Sequence, residues 1–249
     1  MNRVTCDLTV SLDGFLAGPN QSHSNPLGEG GEDLHRWQFE EPEDNAAALE
    51  GILSAGAYVM GRNMFAGPGA GPWDEDWRGW WGEEPPYHAP VFVLTHHQRP
   101  PVEMEGGTTF YFVNDGIESA LNQAREAAAG KDVAIAGGAE TARQFLSAGL
   151  IDELRLHIAP LVLGGGERLL DGVGNLKLEP TESERHPPCN ARPLPGYPLI
   201  PTVHPQFCGC AAPAPWARTD RPRHGDVLHG PEQFQIRFPG AAGCTGVAG

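Results

Sequence analysis

The chain has 249 residues, with 32 Asp and Glu against 17 Lys and Arg, a formal net charge of −15. That balance argues against a nucleic-acid binder, whose phosphate contacts need clustered Lys and Arg. No apolar run approaches the length of a bilayer span, and residues 1–10 alternate like a strand instead of forming a basic and apolar leader, so a soluble, cytoplasmic protein with no membrane partner is expected.

Residues 3–11 are predicted as a first strand, running into Ser11-Leu12-Asp13-Gly14-Phe15-Leu16-Ala17-Gly18. Asp13 beside Gly14 reads as a turn former or as an acid near the site. Next comes Gly30-Gly31-Glu32-Asp33-Leu34-His35-Arg36-Trp37, where Asp33 has two readings. It is an N-cap on a short helix, or a cleft carboxyl with a raised pKa that supports protonation. A helix is predicted over 44–54. A short strand at 57–60 then ends at Gly61 and delivers Arg62, whose guanidinium can fork onto phosphate oxygens, and Asn63.

Residues 66–89 carry Trp73, Trp77, Trp80 and Trp81 among prolines and glycines and read as a long loop. It is either a flap packed on itself or an aromatic wall for a planar heterocycle. Strands are predicted at 90–95, which ends at Thr95 and His96, and at 108–113. A helix over 116–129 leads to a strand at 132–136. That strand runs into Gly137-Gly138 and a helix over 139–148 beginning Ala139-Glu140. The Gly-Gly turn lets a ligand approach the backbone, and the helix start offers free N–H groups and a positive dipole end to a phosphate. The last predicted strand, 152–163, carries His157, read as a packing residue. Strands alternating with helices imply an α/β fold with a largely parallel, covered sheet.

Glycine or small polar groups at the carboxyl ends of three strands suit an open sheet that seats a dinucleotide. The G-x-G-x-x-G spacing is absent, so such a site belongs to a fold other than the Rossmann type. The order Gly61-Arg62, Leu94-Thr95-His96 and Ala136-Gly137-Gly138-Ala139-Glu140 resembles dihydrofolate-reductase-like proteins. The opening Ser11–Gly18 segment and the late Leu156–Gly166 segment narrow the resemblance. They look like the RibD C-terminal domain, the reductase half of bifunctional riboflavin-biosynthesis enzymes, in a stand-alone form covering residues 1–183. The zinc-deaminase signature of the other half is missing.

The resemblance implies a mixed, largely parallel sheet flanked by helices, NADPH as cofactor, a small-molecule substrate and a homodimer. It places Leu16 and Ala17 at the nicotinamide carboxamide. Gly61, Arg62 and Asn63 fall at the pyrophosphate and 2′-phosphate, with Thr95 and His96 beside that phosphate. Gly137, Gly138, Ala139 and Glu140 fall under the pyrophosphate. Asp33 and Asp13 are the candidate catalytic acids. The implied reaction is NADPH-dependent hydride transfer to a heterocyclic or ribosylated pyrimidine-like substrate. Dihydrofolate reduction and a non-catalytic nucleotide-binding or vestigial role are the alternatives.

Residues 184–249 differ in kind. They hold half of the 24 prolines and four of the five cysteines, and apart from Phe234-Gln235-Ile236-Arg237-Phe238 they show no period. An irregular tail is expected, either an out-of-frame reading of a GC-rich gene or a genuine extension. Cys189, Cys208, Cys210 and Cys244 lack the paired spacing of a zinc module, and no metal is expected. The one cysteine left in 1–183, Cys6, fits a reducing compartment.

Overall fold

The alternation of apolar and small residues in Val4–Ser11 makes β1 a strand buried on both sides, the condition for a central position in a parallel sheet. The computed structural model describes residues 2–69, 71–185 and 232–237. Its strands are β1, β2 (Phe15–Ala17), β3 (Ala57–Gly61), β4 (Pro90–Leu94), β5 (Val102–Glu103), β6 (Thr109–Val113), β7 (Val133–Gly137), β8 (Glu153–Ala159), β9 (Glu167–Arg168), β10 (Glu179–Arg185) and β11 (Glu232–Arg237). The α-helices are α1 (Arg36–Phe39), α2 (Ala46–Leu53), α3 (Arg62–Ala66), α4 (Ile117–Ala127) and α5 (Ala139–Ser147).

Among the described residues, nine strands form one sheet in the order β10-β11-β8-β1-β7-β3-β4-β6-β5, while β2 and β9 form a separate antiparallel pair. From β8 to β6 all neighbours are parallel. The chain builds outward through β3, β4 and β6, then returns to insert β7 between β1 and β3. That reversal makes a topological switch point at the carboxyl ends of β1, β7 and β3, where open α/β sheets form a ligand crevice.

Alternate residues feed two cores. On one face, Val4, Cys6, Leu8, Val59 and Ile135 meet Leu121, Ala124, Phe145 and Leu146 of α4 and α5. On the other, Tyr58, Met60, Val91, Val93 and Phe110 meet Phe65 of α3 and Trp73, Trp77 and Trp81 of the 66–89 segment. These three tryptophans pack against the sheet, and Trp77 with Trp80 and Trp81 with Tyr87 also pack within the segment, so it is a flap packed partly on itself and partly on the sheet, not a free aromatic wall. Arg99 staples it down. Its Nη2 donates to the carbonyls of Glu75 and Trp77 at 2.8 and 2.6 Å. Its guanidinium lies 5.2–5.8 Å from the rings of Phe65, Trp73 and Phe112.

Differences from the sequence expectations are local. The predicted 152–163 strand stops at Ala159, where Pro160 and the run Gly164-Gly165-Gly166 cannot continue a ladder. The 44–54 helix shortens to α2. In the tail, β10 crosses the expected boundary at 183, and β11 lies antiparallel between it and β8. The cysteines Cys189, Cys208, Cys210 and Cys244 lie outside the described residues.

Candidate functional site

The crevice is built from strand ends. β3 ends at Gly61, and the chain turns directly into α3 with Arg62 as its first residue. Glycine at 61 keeps this join close, since a Cβ there would press on Thr141 Oγ1 on α5 and force a shift. The end of β3 and the start of α5 are therefore pressed together. Beside them, β7 carries a bulge between Ile135 and Gly137, which re-aims its last residues. The Gly137–Gly138 peptide is cis, and α5 begins immediately afterwards.

Among the described residues no side chain caps α5, whose N-cap is Gly138, and none comes within 4 Å of the space a Cβ would take at Gly138. An uncapped helix start facing open space is a fitting seat for a phosphate. Glu140 contributes differently from the expectation. Its carboxylate bonds Arg143 Nη2 at 2.9 Å and Gln144 Nε2 at 3.2 Å. These bonds, Arg143 first, hold its pKa below the usual carboxylate range. A negative side chain cannot favour a phosphate, so what remains for Glu140 to offer is its backbone N–H.

Arg62 is half-buried at this strand end. Its Nη2 donates to the Gly71 carbonyl at 2.8 Å, and its guanidinium stacks 4.5 Å from the Trp73 ring. Asn63 is exposed beside it. The Thr95 hydroxyl is buried and closes its own turn, accepting from the His97 N–H at 3.1 Å, while His96 is exposed at the same strand end. Thr95 therefore supports the turn instead of presenting its hydroxyl to a ligand.

The Ser11–Gly18 segment places Leu16 and Ala17 on β2. Asp13 is not a free acid here. It accepts from Ser11 Oγ at 2.6 Å, from the Leu163 N–H at 3.1 Å and from the Gly164 N–H at 2.8 Å. These bonds, that of Ser11 foremost, lower its pKa to about 2. An ionised carboxylate with its lone pairs committed is a clamp between two loops and a poor proton donor. The catalytic reading of Asp13 is corrected accordingly.

Asp33 lies half-buried in a 3-10 turn, Gly31–His35, that packs against β1 and β2. The cap of that turn is Gly30, in a left-handed conformation with φ of 72°, so the capping reading of Asp33 does not hold. The turn that carries Asp33 thus lies beside the first strand and the β2 segment with Leu16 and Ala17.

The family model for the RibD C-terminal domain matches residues 2–189. The chain belongs to this family. A curated relative, the uncharacterized protein YyaP of Bacillus subtilis, is 29% identical over 194 residues, covering 73% of this chain and 88% of the relative. Two solved structures share the fold. One is a protein assigned to riboflavin biosynthesis from Shewanella sp. PV-4, with TM-score 0.53, 20% identity and 95% and 98% of the two chains covered. The other is dihydrofolate reductase from Enterococcus faecalis, solved with NADP(H), with TM-score 0.50, 13% identity and coverages of 96% and 97%. The dihydrofolate-reductase-like fold of this RibD C-terminal domain is thereby established.

Sequence reasoning missed three tertiary pairings. Trp37 of α1 is buried, donates from Nε1 to Thr9 Oγ1 at 3.2 Å, and stacks on His157 at 4.6 Å. The expected packing role of His157 matches this position, 4.0 Å from Asp7. Asp7 is a buried acid that burial pushes up and Arg155 pulls down, and its ion pair with Arg155 marks it as structural. The second omission is Arg99, whose aromatic partners come from three separate segments. The third is Arg143, whose acceptors lie up to 25 residues away on β9. None of these pairings leaves a local sequence signal. Among the described residues, no helix is long and apolar enough to cross a membrane, and no cluster of three His, Cys, Asp or Glu could hold a metal.

Proposed function

We propose that this RibD C-terminal domain is an NADPH-dependent reductase acting on a heterocyclic or ribosylated pyrimidine-like substrate, of the type of 5-amino-6-(5-phosphoribosylamino)uracil. The observation that carries the reading is the uncapped start of α5 at open Gly138, pressed against Gly61 and beside Arg62. A dinucleotide needs backbone donors for its pyrophosphate and a guanidinium for a 2′-phosphate, and these residues offer both. When bound, the reduced nicotinamide supplies hydride to a polarised C=O or C=N.

The chain's own residues take the remaining tasks. The N–H groups of Ala139 and Glu140 hold the pyrophosphate. Arg62, with exposed Asn63 and His96 nearby, holds the 2′-phosphate. Leu16 and Ala17 present backbone groups to the carboxamide, and the Asp13 clamp keeps their loop in place. Asp33 is the proton donor in this reading, because Asp13 is committed elsewhere. The same proposal includes pairing as a homodimer, which light scattering of the purified protein reads directly.

The test is cofactor oxidation followed with a panel of substrates, phosphoribosylaminopyrimidine and dihydrofolate included. Turnover with the former, and a fall of at least about 100-fold in Asp33→Asn with cofactor binding retained, is expected of a general acid. Binding of NADPH without oxidation by any member of the panel would contradict the enzymatic reading.

A further inference from the structure

The strand carrying Leu16 and Ala17 is three residues long and its partner β9 only two, so their mutual ladder cannot by itself fix them. A side chain from α5 anchors the pair. Arg143 Nη1 donates to the Arg168 carbonyl at 2.6 Å, and its Nη2 bonds the Glu167 carboxylate at 3.1 Å and the Glu140 carboxylate at 2.9 Å. One guanidinium fork thus joins the first turn of α5 to both residues of β9. Its side chain is 18% exposed, so these charge-assisted bonds are partly shielded from water.

From β9 the contacts continue into β2. Glu167 lies opposite Ala17, and Arg168 lies opposite Phe15 with its guanidinium 4.7 Å from the Phe15 ring. The Leu169 N–H donates to the Gly14 carbonyl at 3.2 Å. At Gly166 the backbones touch, since a Cβ there would stand 2.0 Å from the Ala17 carbonyl oxygen. The path from α5 through Arg143 and β9 to β2 is unbroken.

We infer that Arg143 is a positioning residue that sets the nicotinamide strand β2 against the pyrophosphate seat at the start of α5. The inference rests on the NADPH reading above. A ligand that spans both ends depends on this spacing. A ligand confined to the adenosine end does not.

The experiment compares full-length wild type, Arg143→Met and Arg143→Lys in two measurements. Hydrogen exchange without ligand reads the tether itself. In Arg143→Met, amides of 15–18 and 166–169 are expected to exchange at least about tenfold faster, with α4 unchanged. Binding is then measured for NADPH and for adenosine 2′,5′-bisphosphate. Arg143→Met is expected to weaken NADPH about tenfold and the bisphosphate less than about twofold. Arg143→Lys, which keeps the charge but cannot bond three acceptors in one plane, falls between.

Unchanged exchange at 15–18 would overturn the inference, as would equal weakening of both ligands, which marks general loosening. Wild type binding NADPH while Arg143→Met binds it equally well would sink the inference and leave the NADPH reading standing. No NADPH binding by folded wild type would overturn both.

Discussion

Asp13 shows how one carboxylate can be assigned to the wrong task. A turn at Asp13-Gly14 is legible from residue types alone, but its acceptor role depends on Leu163 and Gly164, some 150 residues along the chain. Its pKa is lowered to about 2 from the ordinary 3.8. A depressed folded-state pKa gives stability that is fully present above the unfolded value and is lost as pH falls through the folded one. Asp13→Asn should therefore lower the melting temperature by a constant amount above about pH 5, and the gap to wild type should close as pH approaches about 2. A gap that persists undiminished at that pH would remove the clamp from the account.

Elements were legible where period and punctuation agree. β3 and β7 are apolar runs that end in Gly61 and Gly137, β4 is one that ends at Leu94 just before Thr95, and the strand ends delimit the crevice without any tertiary knowledge. The 66–89 segment was not legible, because its tryptophans follow neither a strand nor a helix period. Their placement depends on Phe65, Phe110 and Arg99 from other segments. Phe65→Ala empties a fully buried site in this second core and should destabilise the protein by about 3–5 kcal/mol in chemical denaturation. A loss below about 1 kcal/mol would mean that the tryptophan segment is not part of the core. At the join of β3 and α5, Gly61→Ala forces a Cβ against Thr141 Oγ1. That overpacking should cost about 1–3 kcal/mol and weaken dinucleotide binding as α5 shifts. Wild-type affinity in the variant would show that the pressed contact does not shape the seat.

Across the whole molecule, the parallel sheet and its covered faces follow from the alternation of strands and helices, and the family resemblance named the fold. The edge of the sheet was harder to read. The alternation in Phe234-Gln235-Ile236 marks a strand, yet nothing local says that it pairs with β8, from Glu232 opposite Ile158 to Arg237 opposite Glu153. A chain ending at Arg185 leaves the outer edge of β8 bare and β10 without its neighbour. It should melt at least about 5 °C lower and self-associate in light scattering. Equal stability and an unchanged mass would mean that β11 adds nothing to the sheet.

The central claim is that strand ends and the α5 start together seat NADPH. Titration of the full-length protein with NADPH and NADH, followed by nicotinamide fluorescence, tests it most directly. The account predicts saturable binding that favours NADPH, with Arg62→Ala weakening NADPH by about tenfold or more and NADH by much less. Absence of binding by folded protein, or equal loss of both nucleotides on Arg62→Ala, would contradict it.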